Sequence, residues 1–208
     1  MPKKSIIEHP IMNFFGVVGD IIILNLIFVL CSLPIITMGT AITALYSTAM
    51  KMQRKENVSV FKGFLKAFRD NLKDSMIVWL IILAVSGLLV LNIRMVGALD
   101  GIMQGVVKVV IGIICGIYLM LVVYIFPYIA RFKNSIKDYF KNAFTISMAN
   151  LPITLLVIGI DVGVALIVLY TSRNIVIGTI FGFFFGFALL AYIKSALLVR
   201  VFRKYEDK

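Results

Sequence analysis

Apolar runs of about twenty residues, the length an α-helix needs to cross a ~30 Å hydrocarbon core, recur along this chain. The segments between them hold most of its lysine and arginine. Inside a bilayer the backbone must satisfy its own hydrogen bonds, so a spanning segment is a helix or part of a closed barrel, and continuous apolar runs select the helix. Of 208 residues, 61% are hydrophobic and 15% charged, against roughly 45–50% and about 25% in a soluble domain. The sequence therefore predicts an all-α polytopic membrane protein, one membrane domain over residues 1–208, with no soluble domain beside it.

Spans are predicted at about 14–33, 40–53, 75–96, 106–128, 151–170 and 175–199. Residues 1–13 resemble the start of a signal peptide, yet no small-x-small cleavage pattern follows, so the first span reads as retained. The topology turns on Leu33 to Tyr46. Pro34 disfavours helix at Leu33, and Gly39 makes a tight turn inexpensive. The segment beyond is helical in pattern but carries Ala41, Ala44 and Ala49 with hydroxyls at Thr40, Thr43, Ser47 and Thr48. Such a helix must hide its polar face against protein, because small and hydroxylated residues favour close helix contact.

Lysine and arginine decide between two threadings. Of the 21 such residues, all but Arg94, Lys108, Arg173 and Lys194 fall in residues 1–13, 51–73, 131–141 and 200–208. These four segments share one side of the membrane only if the chain turns back at Leu33 to Tyr46. By the positive-inside rule, six spans in three hairpins with both termini cytosolic are favoured. The alternative is five spans, which leaves Lys3 and Lys4 outside. A charge of +11 placed in the gaps between spans points to topology and anionic lipid, not to nucleic acid.

Two basic segments are amphipathic. In 58–73, Val60, Phe61, Phe64, Leu65, Phe68 and Leu72 share one helical face, with Lys62, Lys66, Arg69 and Lys73 opposite. In 132–145, Lys133, Lys137 and Lys141, with Arg131 just ahead of the segment, oppose Ile136, Tyr139, Phe140, Ala143 and Phe144. Both read as interfacial helices, each leading into a hydrophobic hairpin, which suggests a repeated unit. Glycines four apart, Gly112 and Gly116, Gly159 and Gly163, and Gly178, Gly182 and Gly186, read as faces for close helix packing.

Candidate chemistry lies in the ionisable residues within spans, Asp20, Asp161 and Lys194. Counted from the cytosolic ends, Asp20 and Lys194 match in depth, while Asp161 sits deeper, near Asn92 and Arg94. They read as a relay or as a structural pair. His9 is the only histidine, which rules out HExxH zinc chemistry and a Ser-His-Asp triad within one chain. Cys31 and Cys115 lie in apolar runs and imply no disulfide. No enzyme, metal site or cofactor is expected.

Leu33-Pro34-Ile35-Ile36-Thr37-Met38-Gly39, followed by Ala44-Leu45-Tyr46 and the basic helix over Phe61 to Phe68, resembles the YesL-like family of bacterial membrane proteins, a family of unknown function. The resemblance extends over nearly the whole chain and rests on the turn residues Leu33, Pro34, Thr37 and Gly39; Thr40 stands where members often carry proline. It implies a Gram-positive cell membrane protein associated with carbohydrate uptake systems of the ABC type. Two functions follow as expectations: a non-enzymatic accessory or assembly protein meeting a permease, an ATPase or anionic lipid through its basic helices, or a small transporter working as a homo-oligomer with Asp20, Asp161 and Lys194 lining a path.

Overall fold

The computed structural model describes residues 10–56, 59–97 and 100–206; Lys3, Lys4, His9, Val58 and Lys208 lie outside them. Every regular element among the described residues is helical. In order these are α1 (Pro10–Ser32), a 3₁₀ turn (Ile35–Thr37), α2 (Met38–Gln53), α3 (Val60–Val96), α4 (Gly101–Arg131), α5 (Ile136–Ala149), α6 (Leu151–Leu169), α7 (Ser172–Phe181), a π-helical segment (Gly182–Gly186) and α8 (Phe187–Glu206). Five stretches are long and apolar enough to cross a membrane: Phe15–Ser32, Val60–Val96, Gly101–Arg131, Leu151–Leu169 and Arg173–Glu206.

The remaining predicted span, α2, has 16 residues, about 24 Å of helix, and is the centre of the molecule. It packs against α1, α3, α4 and α8, with Ala41, Ala44 and Ala49 fully buried. Its three threonine hydroxyls are bonded within the protein, as a polar helix enclosed by protein requires. Thr43 and Thr48 donate to the carbonyls of Gly39 and Ala44, Thr40 donates to the Leu72 carbonyl at 3.3 Å, and Ser75 donates to Thr43 at 2.9 Å. The helix ends in a Schellman arrangement, with Glu56 N bonded to Lys51 O and Lys55 N to Met52 O. Lys55 occupies the left-handed position there, at φ 55°.

Two expectations change at α3. The amphipathic segment and the span after it are one helix of 37 residues, because no glycine or proline separates Leu72 from Met76. The first basic segment is therefore not a separate interfacial helix. Its buried face is Val60, Gly63, Phe64, Ala67, Asn71 and Ser75, whereas Phe61 and Leu72, assigned to the apolar face by spacing, are exposed. The second basic segment does form its own helix, α5. Ser135 caps it by accepting from Asp138 N and donating to Asp138 Oδ2. The first basic segment is thus fused to the span after it and the second is separate.

Packing is uneven along the hairpins. Near their basic end, Tyr124, Ile125, Ile129, Leu198, Val201 and Phe202 are buried. In the distal halves, Leu88, Leu91, Ile102, Val109, Leu166 and Ile177 are among many large apolar side chains left exposed. Water does not tolerate so large an apolar surface; a lipid bilayer is its environment.

Candidate functional site

Gly39, placed by sequence at a turn, is inside α2 with helical backbone. Its hydrogen is what matters: a Cβ there would collide with the Trp79 side chain and lie 2.9 Å from Ser75 O. The turn itself is made by Pro34 and Thr37. Thr37 Oγ1 lies 2.9 Å from Cys31 O and 3.0 Å from Pro34 O, and Trp79 Nε1 donates to Ile35 O at 2.7 Å. Leu33 is exposed.

Among the candidate ionisable residues, the structure pairs a different two from those matched by depth. Lys194 Nζ contacts Asp161 Oδ1 at 2.7 Å and lies 5.7 Å from the centre of the Tyr46 ring, a cation–π arrangement. Asp20 is not part of this cluster. Nor are Asn92, which donates to Leu88 O on its own helix, and Arg94, which is exposed. Asp161 stands in the wall of a groove of about 620 Å³ formed by α1, α6, α7, the π segment and α8, lined mainly by apolar side chains such as Val164, Val168, Phe187 and Leu190.

The wall of that groove is shaped by a residue that stands out in the sequence only as a polar exception in the first span, with no role assigned by its surroundings. Asn25, fully buried on α1, donates from Nδ2 to the carbonyls of Gly182 and Phe183 at 3.0 and 2.6 Å, and its Oδ1 accepts from Ala188 N at 2.8 Å. A π turn releases backbone groups from the regular ladder, and in an apolar setting each needs a partner. One asparagine supplies three bonds. An uncharged amide within an apolar run is the signal that could have found it.

The packing glycines divide. Gly178 faces Val168 closely enough that a Cβ would lie 2.8 Å from its Cγ2, and Gly186 sits against Phe181. Gly182 has only ordinary contact with Phe187. Around Gly112, Gly116, Gly159 and Gly163 there is open space, so these four do not mediate helix contact within the chain. Spacing states which face a helix offers, not whether another helix takes it.

At the basic end, Lys62, Lys66, Arg69 and Lys73 on α3 are exposed, as are Lys133, Lys137 and Lys141. Lys133 is anchored, donating to Asp70 O at 2.8 Å and Asn71 Oδ1 at 2.7 Å. Arg131 pairs with Glu206. Tyr139 is buried on α5; burial pushes its phenol above the usual tyrosine range, and it reaches Asp74 Oδ2 at 3.3 Å and accepts from Asn134 N at 3.2 Å. These bonds tie α3, the α4–α5 link and α5 into one rigid base.

The region holding the Pro34 turn, α2 and nearly all of α3 is also where the chain is similar to known sequences. Residues 21–93 match DUF624, described as a protein of unknown function. The YesL-like proteins belong to the DUF624 family, so the resemblance drawn from the turn holds over this stretch. The match covers α1 from Ile21 through α3 to Ile93, rather than nearly the whole chain. No curated protein and no solved structure matches the chain.

Proposed function

We propose that this chain is a non-enzymatic membrane protein of the bacterial cell membrane that docks a partner through its basic end, as an accessory or assembly component of a carbohydrate uptake system of the ABC type. The observation that carries the reading is the rigid backing of the basic faces. Lys62, Lys66, Arg69 and Lys73 project from a helix whose opposite face is locked onto α2, and Lys137 and Lys141 from a helix whose Tyr139 and Ala143 are buried. A basic face fixed in this way is preorganised for an acidic protein surface. The positive-inside rule places it, with both termini, in the cytosol. The resemblance to YesL-like proteins supports the uptake system as the partner.

The test is co-purification at native expression level in mild detergent, comparing wild type with the triple variant Lys62→Glu, Arg69→Glu, Lys73→Glu. A stoichiometric permease or ATPase that is lost from the variant is the expected result. Equal recovery with the variant would remove the basic face as the docking site.

A second reading, a small oligomeric transporter, is favoured by the charged pair in the groove wall. It predicts that Asp161→Asn abolishes solute movement while the protein still inserts and is expressed; loss of expression instead would mark the pair as structural.

A further inference from the structure

At the basic end, α2, α3 and the end of α4 enclose a cavity of about 240 Å³. Five cationic side chains line it, Lys51 and Arg54 from the end of α2, Lys66 from α3, and Arg131 and Lys133 from the end of α4 and the link after it. The single acidic side chain in the lining is Asp70.

Two ordinary explanations cover part of this charge. Lys51 lies in the last turn of α2, where a cation complements the helix dipole, and Lys133 is held by Asp70 O and Asn71 Oδ1. They leave Arg54 unexplained. Its Nε forms an ion pair with Glu56 Oε1 at 2.7 Å, while Nη1 is a buried N–H group without a hydrogen-bond partner. Buried polar groups in native proteins are nearly always bonded, and a buried guanidinium N–H left without an acceptor is an expensive exception.

The placement of the acids is the second observation. Glu56 and Glu206, which face Arg54 and Arg131, line a neighbouring cavity. Arg54 and Arg131 line both cavities, Glu56, Arg203 and Glu206 line only the second, and Lys51, Lys66 and Lys133 only the first. A positive chamber results, formed by three separate segments of the chain.

We infer that this cavity binds a phosphate-type oxyanion, with Arg54, Lys66 and Arg131 as its principal donors. Guanidinium forks match the geometry of phosphate oxygens, and charge-assisted bonds to them are about twice as strong as neutral ones. The volume is below the ~300–1,000 Å³ of pockets for drug-sized ligands, which suits one small anionic group. The same chemistry is presented by inorganic phosphate and by the headgroup of an anionic phospholipid, since basic pockets at the cytosolic ends of membrane helices take such headgroups. The inference rests on the cavity and not on a protein partner.

The full chain, purified in a neutral detergent, is titrated in separate arms with inorganic phosphate and with short-chain phosphatidylglycerol, with phosphatidylcholine as the control lipid. Thermal unfolding and native mass spectrometry are the readouts. A saturable rise in melting temperature, with one ligand retained per chain, is expected. A response to inorganic phosphate identifies a free anion as the ligand, and a response to phosphatidylglycerol alone identifies the lipid headgroup. Arg54→Gln and Lys66→Gln each weaken binding by about tenfold or more, whereas Lys137→Gln with Lys141→Gln, which removes twice the charge outside the cavity, leaves it unchanged. Lys66 is exposed, so its loss does not threaten folding and covers the case in which the Arg54 variant is unstable. No saturable response in either arm, or equal weakening by the Lys137 and Lys141 pair, overturns the inference.

Discussion

The Trp79 indole donates its Nε1–H to the Ile35 carbonyl at 2.7 Å, and the same residue's side chain closes over Gly39. One tryptophan on α3 therefore holds both the 3₁₀ turn and the start of α2. Trp79 sits within the DUF624 match, and the contact gives a physical reason for a glycine in that turn region.

Gly39→Ala should lower stability by about 2 kcal/mol, since overpacking of a fixed contact costs ~1–3 kcal/mol. Gly112→Ala, in open space on α4, should be neutral or stabilising by about 0.5–1 kcal/mol, as glycine is a poorer helix former than alanine. Melting temperatures of the two variants in detergent check this. Equal behaviour would mean that α2 does not press on α3 at Gly39.

Asn25→Leu should remove all three bonds to the π segment and its neighbour. Interhelical hydrogen bonds in membranes average ~0.6 kcal/mol each, so a loss of about 2 kcal/mol is expected, with increased hydrogen exchange at Ala188, whose amide loses its acceptor. Unchanged exchange there would mean that the π turn stands without the asparagine.

Breaking the Asp161–Lys194 pair from one side should be worse than removing it whole. Removal of one partner of a buried pair costs ~3–5 kcal/mol, while replacement of both by apolar groups is often neutral. Here the Asp161 side chain is 38% exposed, which reduces the penalty, to about 2 kcal/mol for Lys194→Met or Asp161→Leu alone. The double variant should recover most of the loss. A double-mutant cycle by thermal unfolding measures the coupling, and strict additivity would refute it.

Lys55→Gly should stabilise the protein by about 1 kcal/mol, because a side chain in the left-handed region is strained by ~1–2 kcal/mol where glycine is not. Thermal unfolding reads the gain, and a destabilised variant would indicate that the lysine makes a contact more valuable than the strain it carries.

Much of the architecture was legible because lipid imposes a blunt rule on sequence. The α4 and α6 spans follow directly from apolar length, and the hydroxyls of Thr40, Thr43, Ser47 and Thr48 were bound to be hidden. The continuity of α3 was readable too, from the absence of a breaker across Leu72 to Met76. It was obscured because a change from amphipathic to apolar pattern looks like a boundary.

The Asp161–Lys194 pair was not legible. Depth counted from helix ends says how far a group lies from the interface, not which neighbouring helix it faces, and a long lysine side chain carries its ammonium well away from the level of its own backbone, here to Asp161 on α6. The basic cavity was not legible either, since its cations come from three segments that only the packing of α2 brings together.

The 37 residues of α3 make a rod about 55 Å long, of which the apolar part beyond Asp74, about 33 Å, crosses the ~30 Å hydrocarbon core and the charged part projects beyond it. Such a rod cannot shorten when the bilayer thins; it leans further over, as long helices do under hydrophobic mismatch. With α2 clamped to its first half, that lean would swing the positive chamber and the lysine faces together, so that bilayer thickness sets the angle at which this end leaves the membrane.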